Sequence, residues 1–249
     1  LPAEIAEILH DELELDPEEI AGIFHNRPDL DPEDIARALR DGLNLDVGEI
    51  SKILREELNL EPEEIAGIFH GLDLKLGEIA KILRDALHLD YAGIAETFRD
   101  GMQVNNDWII KTLRWDLDLN CDEIAAALRD GLNLDFSVIA AALHNALEVD
   151  YDRIAAALRD GLDLDPAEIG GALRDGLKLD LAEIAKTLYD GLELDPEEIA
   201  RIFHDGMNLD PEEIAAALRD GLDMEPEDIA EALREALNLN PEEIARVLG

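Results

Sequence analysis

Isoleucine recurs at positions 5, 20, 35, 50 and 65, then at 79, 94, 109 and every fifteenth residue on to 244. Around each isoleucine the same order of apolar and polar residues returns, which makes seventeen copies of one unit. The best-kept copy runs from Leu209 to Asp223 and reads LDPEEIAAALRDGLD. With the isoleucine as position zero, the unit reads Asp at −4, Pro at −3, Glu at −2 and −1, Ile, Ala, a variable residue at +2, Ala or Ile, Leu or Phe, Arg or His, Asp, then Gly-Leu-x-Leu. At about 100° per residue the Pro, Ile, Ala, +3, Leu and Gly positions fall in one arc and the charged positions in the other, which predicts one amphipathic helix per unit.

Local chemistry marks both ends of that helix. The aspartate is an N-cap, the proline occupies the first helical position where its missing N–H costs nothing, and the glutamate three residues after the cap closes a capping box, as in Asp210, Pro211 and Glu213. The glycine at +7, as in Gly42, Gly131 and Gly221, is expected at the left-handed C′ site, with the next leucine making the contact of a Schellman ending. Each helix is then about ten residues, roughly 15 Å long. Helices this short are unstable alone, so each copy borrows apolar surface from its neighbours, with the leucines at +8 and +10 plugging the seam between successive helices. The predicted fold is an all-α solenoid, a superhelix of about seventeen 15-residue single-helix repeats. It spans 1–249 as one array, regular over 1–75, divergent over 76–165 and regular again over 166–249. In principle it resembles α-solenoids of the HEAT and tetratricopeptide kind, whose units have two or three helices where this one has a single helix.

The regularity lapses in two places. Ile65 to Ile79 spans fourteen residues, the lost position being the Asp that should follow His70, and Lys75 stands where the capping Asp should be. A tightened turn absorbs such a loss. Between Tyr91 and Ile154 the proline is missing from five consecutive copies, replaced by Tyr91, Asn106, Cys121, Phe136 and Tyr151, and the capping-box glutamate fails at Gly93, Trp108, Val138 and Arg153. Both tryptophans, Trp108 and Trp115, lie in this stretch. Tyr91, Trp108, Trp115, Phe136 and Tyr151 are therefore the candidate contact surface, because aromatic side chains concentrate binding energy at interfaces. The competing expectation is that they fill space in divergent repeats, since position −3 belongs to the buried arc.

Composition narrows the function. Apolar residues make up 47% of the chain and aromatics only 4%, so burial rests on Ile, Leu and Ala. A net charge of −40 sets the chain against direct binding to nucleic acid or an anionic membrane, and no apolar run is long enough to span a bilayer. Cys121 is the only cysteine, so no intrachain disulfide framework exists. The compartment is not indicated. The chain opens at Leu1 without an initiator Met and stops at Gly249 partway through a unit, which reads as a processed form or an excerpt.

Candidate chemistry is sparse. Position +5 carries Arg in ten copies and His in five, a cation in the last turn that complements the helix dipole and is expected near the acidic edge of the adjacent helix. Asp116, Asp118, Asn120 and Asp122 imitate the start of an EF-hand loop, but Cys121 stands where its glycine is required and Ala127 where its bidentate glutamate should be. His10 and His25 have no second convergent pair for a metal, no Ser-His or Cys-His setting is distinctive, and no glycine-rich phosphate cradle appears. The expectation is a non-enzymatic acidic scaffold with no cofactor and no metal, whose partner is a protein or a second copy of itself. The alternative is a DNA mimic. A straight rod of seventeen helices would be about 150 Å long and carry roughly one charge per 4 Å, against one per about 1.7 Å in duplex DNA. The first and last units keep the interior pattern instead of polar caps, so Ile5, Ile8, Leu9, Ile244, Val247 and Leu248 are candidates for end-to-end contact, able to propagate head to tail.

Overall fold

The computed structural model describes residues 2–249. Among the described residues all regular structure is helical, in seventeen helices. They are α1 (Pro2–Leu13), α2 (Pro17–His25), α3 (Pro32–Leu43), α4 (Val47–Glu56), α5 (Pro62–Gly71), α6 (Leu76–Asp85), α7 (Tyr91–Glu96), α8 (Asn106–Trp115) and α9 (Cys121–Leu132). There follow α10 (Phe136–Leu147), α11 (Tyr151–Leu162), α12 (Pro166–Leu177), α13 (Leu181–Leu192), α14 (Pro196–Arg201), α15 (Pro211–Leu222), α16 (Pro226–Leu237) and α17 (Pro241–Leu248). The chain divides into two compact units, Leu1–Leu119 with Asp130–Leu132, and Asn120–Arg129 with Asn133–Gly249.

Helix starts follow the sequence. Asp210 accepts from the Glu213 amide at 2.9 Å while the Glu213 carboxylate accepts from the Asp210 amide at 3.1 Å. Where the glutamate is lost, Asp90 and Asn105 still accept from the amides of Gly93 and Trp108, whereas Asp135 and Asp150 make no side-chain cap bond.

Helix ends do not follow it. Gly42, Gly131, Gly161, Gly176, Gly191 and Gly221 lie inside helices, and most helices of this type run twelve residues, through the leucine at +8. The left-handed site is two residues beyond the glycine, at +9, and is filled without glycine by Asn44, Glu148, Lys178 and Glu193 among fifteen such residues. The Schellman bond comes from +10 instead: the Leu119 amide donates to the Leu113 carbonyl at 3.1 Å and Leu45 to Leu39 at 3.4 Å. In the fourteen-residue repeat Asp73 takes the left-handed site one position earlier, so the deletion is absorbed in the turn.

What the glycine does is set by packing. The most extensive packing joins helices two apart along the chain, as α1 on α3 in the first unit and α10 on α12, α11 on α13 and α13 on α15 in the second. At these crossings position +7 of one helix meets position −2 of the helix two before it. A Cβ on Gly176 would lie 2.8 Å from the carbonyl carbon of Ser137 and closer still to its oxygen; one on Gly131 would meet Ala92 in the same way. Real Cβ atoms essentially never come so near, so glycine is needed there for backbone approach. Where +7 is larger, the small residue moves to the other side. Ala86 faces Gly48, and the Asp116 carboxylate occupies the space a Cβ on Gly77 would take. The ladder isoleucines from Ile20 to Ile214 are completely buried, as are Phe24, Phe69, Phe98 and Phe203 at +4. Beside two of these rings, at Thr97–Gly101 and Ile202–Gly206, the helix widens into a π turn.

Candidate contact surfaces

The five aromatic candidates do not share one environment. Tyr91, Phe136 and Tyr151 replace the N1 proline and are half-buried. The ring of Tyr151 packs on that of His144, at +5 of the preceding helix, with centroids 5.2 Å apart. Trp108 and Trp115 belong to positions −1 and +6, on the side of α8 turned away from the apolar ladder, and are 58% and 67% exposed. Seven residues apart, they point within about 20° of one another and about 10 Å apart along the axis. Lys111 stands over the Trp108 ring at 5.7 Å and Arg114 over Trp115 at 5.2 Å. Each cation–π contact fixes an indole that burial does not.

Cations at +5 serve the helix ends, as the dipole predicts, but not by reaching acids of the adjacent helix. Arg40, Arg84, Arg99, Arg159, Arg174 and Arg219 pair with the aspartate next in sequence. That guanidinium bond holds the Asp85, Asp100 and Asp160 carboxyls below the usual carboxylate range. Some donate to backbone carbonyls, Arg99 in addition to its aspartate: Arg114 to Leu119 at 2.9 Å in its own turn, Arg99 to Leu132 at 2.6 Å and Arg129 to Leu162 at 3.3 Å two helices on. Arg55 reaches the next helix, meeting the Glu61 carboxylate at 2.6 Å.

The first and last helices are more exposed than the others. At +3, Ile8 of α1 is 56% and Ile23 of α2 44% exposed, against 4% for Ile53 of α4. Ile5 is also exposed and Leu9 half-buried, while Leu13 at the end of α1 is open to solvent. At the other edge Leu248 is exposed and Ile244 and Val247 are half-buried. There a groove of about 490 Å³ opens over Glu227, Ala230, Arg234, Ile244 and Ala245. The alanine at +1 that is buried in Ala36, Ala66 and Ala80 is half-buried in Ala230 and exposed in Ala245. Ile23 and Leu13 escaped sequence reasoning because the repeat writes them as ordinary core and connector residues.

A groove of about 560 Å³ is edged by Asp190, Glu197, Asp223, Asp228 and Glu231, with Lys186 and Tyr189. Despite a backbone hydrogen bond that pulls the other way, burial and the nearby Asp195 and Glu235 push Glu197 above the usual carboxylate range. Asn120, read above as part of an imitation calcium loop, is an N-cap that accepts from the Asp122 and Glu123 amides at 2.9 Å. Among the described residues no three His, Cys, Asp or Glu side chains converge as a metal site, and no helix is long and apolar enough to cross a membrane. Comparison with protein families, with curated proteins and with solved structures finds no match for this chain.

Proposed function

We propose that this chain is a non-enzymatic, acidic helical-repeat scaffold, a superhelical stack of single-helix repeats that holds a protein partner on the outward face of α8. The observation that carries the reading is the pair Trp108 and Trp115. They are the only tryptophans in the chain, and both are more than half exposed where other helices present charge. Solvent-exposed tryptophans on a regular scaffold are costly unless a partner covers them, and such rings are enriched among interface residues that dominate affinity. A nucleic acid would also stack on indole, but a net charge of −40 repels it.

Photo-crosslinking tests the assignment. A benzophenone amino acid at position 108 or 115 is expected to capture one defined protein, and the same probe at Asp220, exposed at +6 of α15, is not. With that protein purified, Trp108→Ala and Trp115→Ala each weaken binding at least about tenfold, roughly 1.4 kcal/mol. Equal capture from all three positions, or unchanged affinity in both variants, refutes the reading. The scaffold role itself fails if the purified chain turns over a substrate and a single substitution abolishes that turnover.

A further inference from the structure

We infer that the groove beside α13 binds an arginine of a basic protein segment, the incoming guanidinium taking the place of a cation that this one repeat lacks. The inference stands apart from the α8 contact face, which belongs to the other unit.

The repeat itself supplies the template. From α1 to α16 position +5 is arginine or histidine in every helix but α13, where it is Tyr189. Elsewhere that cation has a recurring task. In six repeats its guanidinium pairs with the aspartate next in sequence, as Arg159 does with Asp160 at 2.7 Å and Arg174 with Asp175 at 3.2 Å. Helix α13 keeps the aspartate, Asp190, and loses the arginine. Among the described residues Asp190 forms no salt bridge, not even with Lys186 one turn back on the same helix. Its charge is felt behind it: burial first, then Asp190 and Asp150, raise the Asp152 carboxyl of α11, with Lys186 only partly offsetting them.

A cavity lies where the missing cation would be answered. The groove of about 560 Å³ is of the size that ligand sites have. Tyr189, 47% exposed, lines it together with Asp190. Pro196, Leu222 and Met224 add apolar surface for the methylenes of a long side chain, and the volume leaves room for the residues flanking it. Across from them Glu197, Asp228 and Glu231 present carboxylates, with Lys186 the one ammonium on the groove.

The ring decides which cation fits. A guanidinium lies flat on an aromatic face and offers a planar fork to a carboxylate, whereas an ammonium is a strongly hydrated point charge. This chain already makes both halves of that contact. Arg114 stands over the Trp115 ring at 5.2 Å, and Arg159 sets Nε and Nη2 against the two carboxylate oxygens of Asp160 at 2.7 and 3.3 Å. Tyr189 and Asp190 offer a ring and a carboxylate side by side in one groove. The net charge of −40 draws a basic segment toward it.

Fluorescence anisotropy with a labelled Gly-Arg-Arg-Gly peptide, on the 249-residue chain in about 0.15 M salt, where screening sets in beyond about 8 Å, reads the prediction. The expected result is saturable binding that weakens at least about tenfold in Tyr189→Arg, Tyr189→Ala and Asp190→Asn and survives in Tyr189→Phe. Gly67→Arg leaves it unchanged, since it adds the same charge as Tyr189→Arg at an exposed site on α5 with nothing within 4 Å of a new Cβ. Tyr189→Arg installs the residue that ten other repeats carry, so the fold is kept, which circular dichroism checks. The peptide binds more weakly with lysine in place of arginine, and not at all with the neutral isostere citrulline. Fluorine NMR on chain made with 3-fluorotyrosine locates the contact: the Tyr189 signal moves on titration and those of Tyr91 and Tyr151 do not. Equal affinity in the parent, Tyr189→Arg and Gly67→Arg would mean diffuse attraction to an acidic surface and would overturn the inference. A peptide that fails to bind, a lysine peptide that binds as tightly, or equal shifts at all three tyrosines overturns it too. Trp108→Ala with Trp115→Ala leaves peptide binding intact; loss in that variant alone places the arginine on α8 and also overturns the α13 site.

Discussion

Gly171 and Gly176 stand five residues apart in α12, and replacing each with alanine is expected to move stability in opposite directions. Helix propensity favours both changes, since alanine in a helix interior is better than glycine by about 1 kcal/mol. At Gly171 nothing lies within 4 Å of a new Cβ, so the propensity gain stands alone and Gly171→Ala stabilises by about 0.5–1 kcal/mol. At Gly176 the methyl would sit 2.8 Å from the Ser137 carbonyl carbon and 3.0 Å from its Cα. Backbone cannot rotate away as a side chain does, so α12 must back off from α10. A gap of roughly 0.5–1 Å already forfeits a quarter to a half of each dispersion contact along the seam. Overpacking of this kind costs about 1–3 kcal/mol, which exceeds the propensity gain, and Gly176→Ala is expected to destabilise by about 1–2 kcal/mol. Urea unfolding followed by far-ultraviolet circular dichroism measures both variants against the parent, with the slope of the transition checked because repeat arrays depart from two-state behaviour. A Gly176→Ala chain as stable as Gly171→Ala would refute the close-approach role of the +7 glycine and return that residue to the helix end.

Three further outcomes follow from the same structure. Glu148→Gly and Glu193→Gly, at left-handed φ of 53° and 58°, each raise the unfolding midpoint and stabilise by about 1 kcal/mol, while Asn133→Gly gains less because asparagine tolerates that region. Asp165→Ala, which removes an oxygen accepting from both the Ala167 and Glu168 amides, costs about 1 kcal/mol in the same assay, and Asp150→Ala, which has no cap bond to lose, costs much less. Burial, with the neighbouring charges of Asp190 and Asp150, raises the Asp152 carboxyl above its ordinary value of 3.8. Its contribution is therefore fully favourable below pH 3.8 and lost as pH rises through the raised folded value, so Asp152→Asn is more stable than the parent at neutral pH and the advantage closes as pH falls toward 4. A pH series of thermal melts in which the two curves stay parallel would refute that assignment.

Helix existence and helix starts were legible because their signals are local. Asp210, Pro211 and Glu213 announce a first turn within four residues, and the ladder isoleucines mark its buried side. The helix end was misread because glycine after a helical pattern ordinarily means a left-handed stop, and here Gly176 answers to Ser137, thirty-nine residues back. Partner choice was hidden for a more general reason. In an array of near-identical units, the repeat itself is indifferent to whether a helix packs on its first or its second neighbour. Only departures from the repeat carry that information: Gly48 opposite Ala86, and Gly77 opposite Asp116. Trp108 and Trp115 were legible as unusual residues, but their placement required knowing that positions −1 and +6 face outward while the tyrosines at −3 do not.

The pairing of +7 with −2 across two helices also limits how such a chain gains or loses length. Excising the fifteen residues of α7 with its turn would leave the ladder of isoleucines unbroken, yet it would set α8 beside α5 and bring Asp116 against Glu63 instead of Gly77. Excising α7 with α8 sets α9 beside α5 instead and brings Gly131 against Glu63, a position that Gly101 already met. Around α8 the chain therefore tolerates loss in pairs of helices better than singly, whereas among α11–α15, where glycine stands at +7 in odd and even helices alike, one repeat is as easily lost as two.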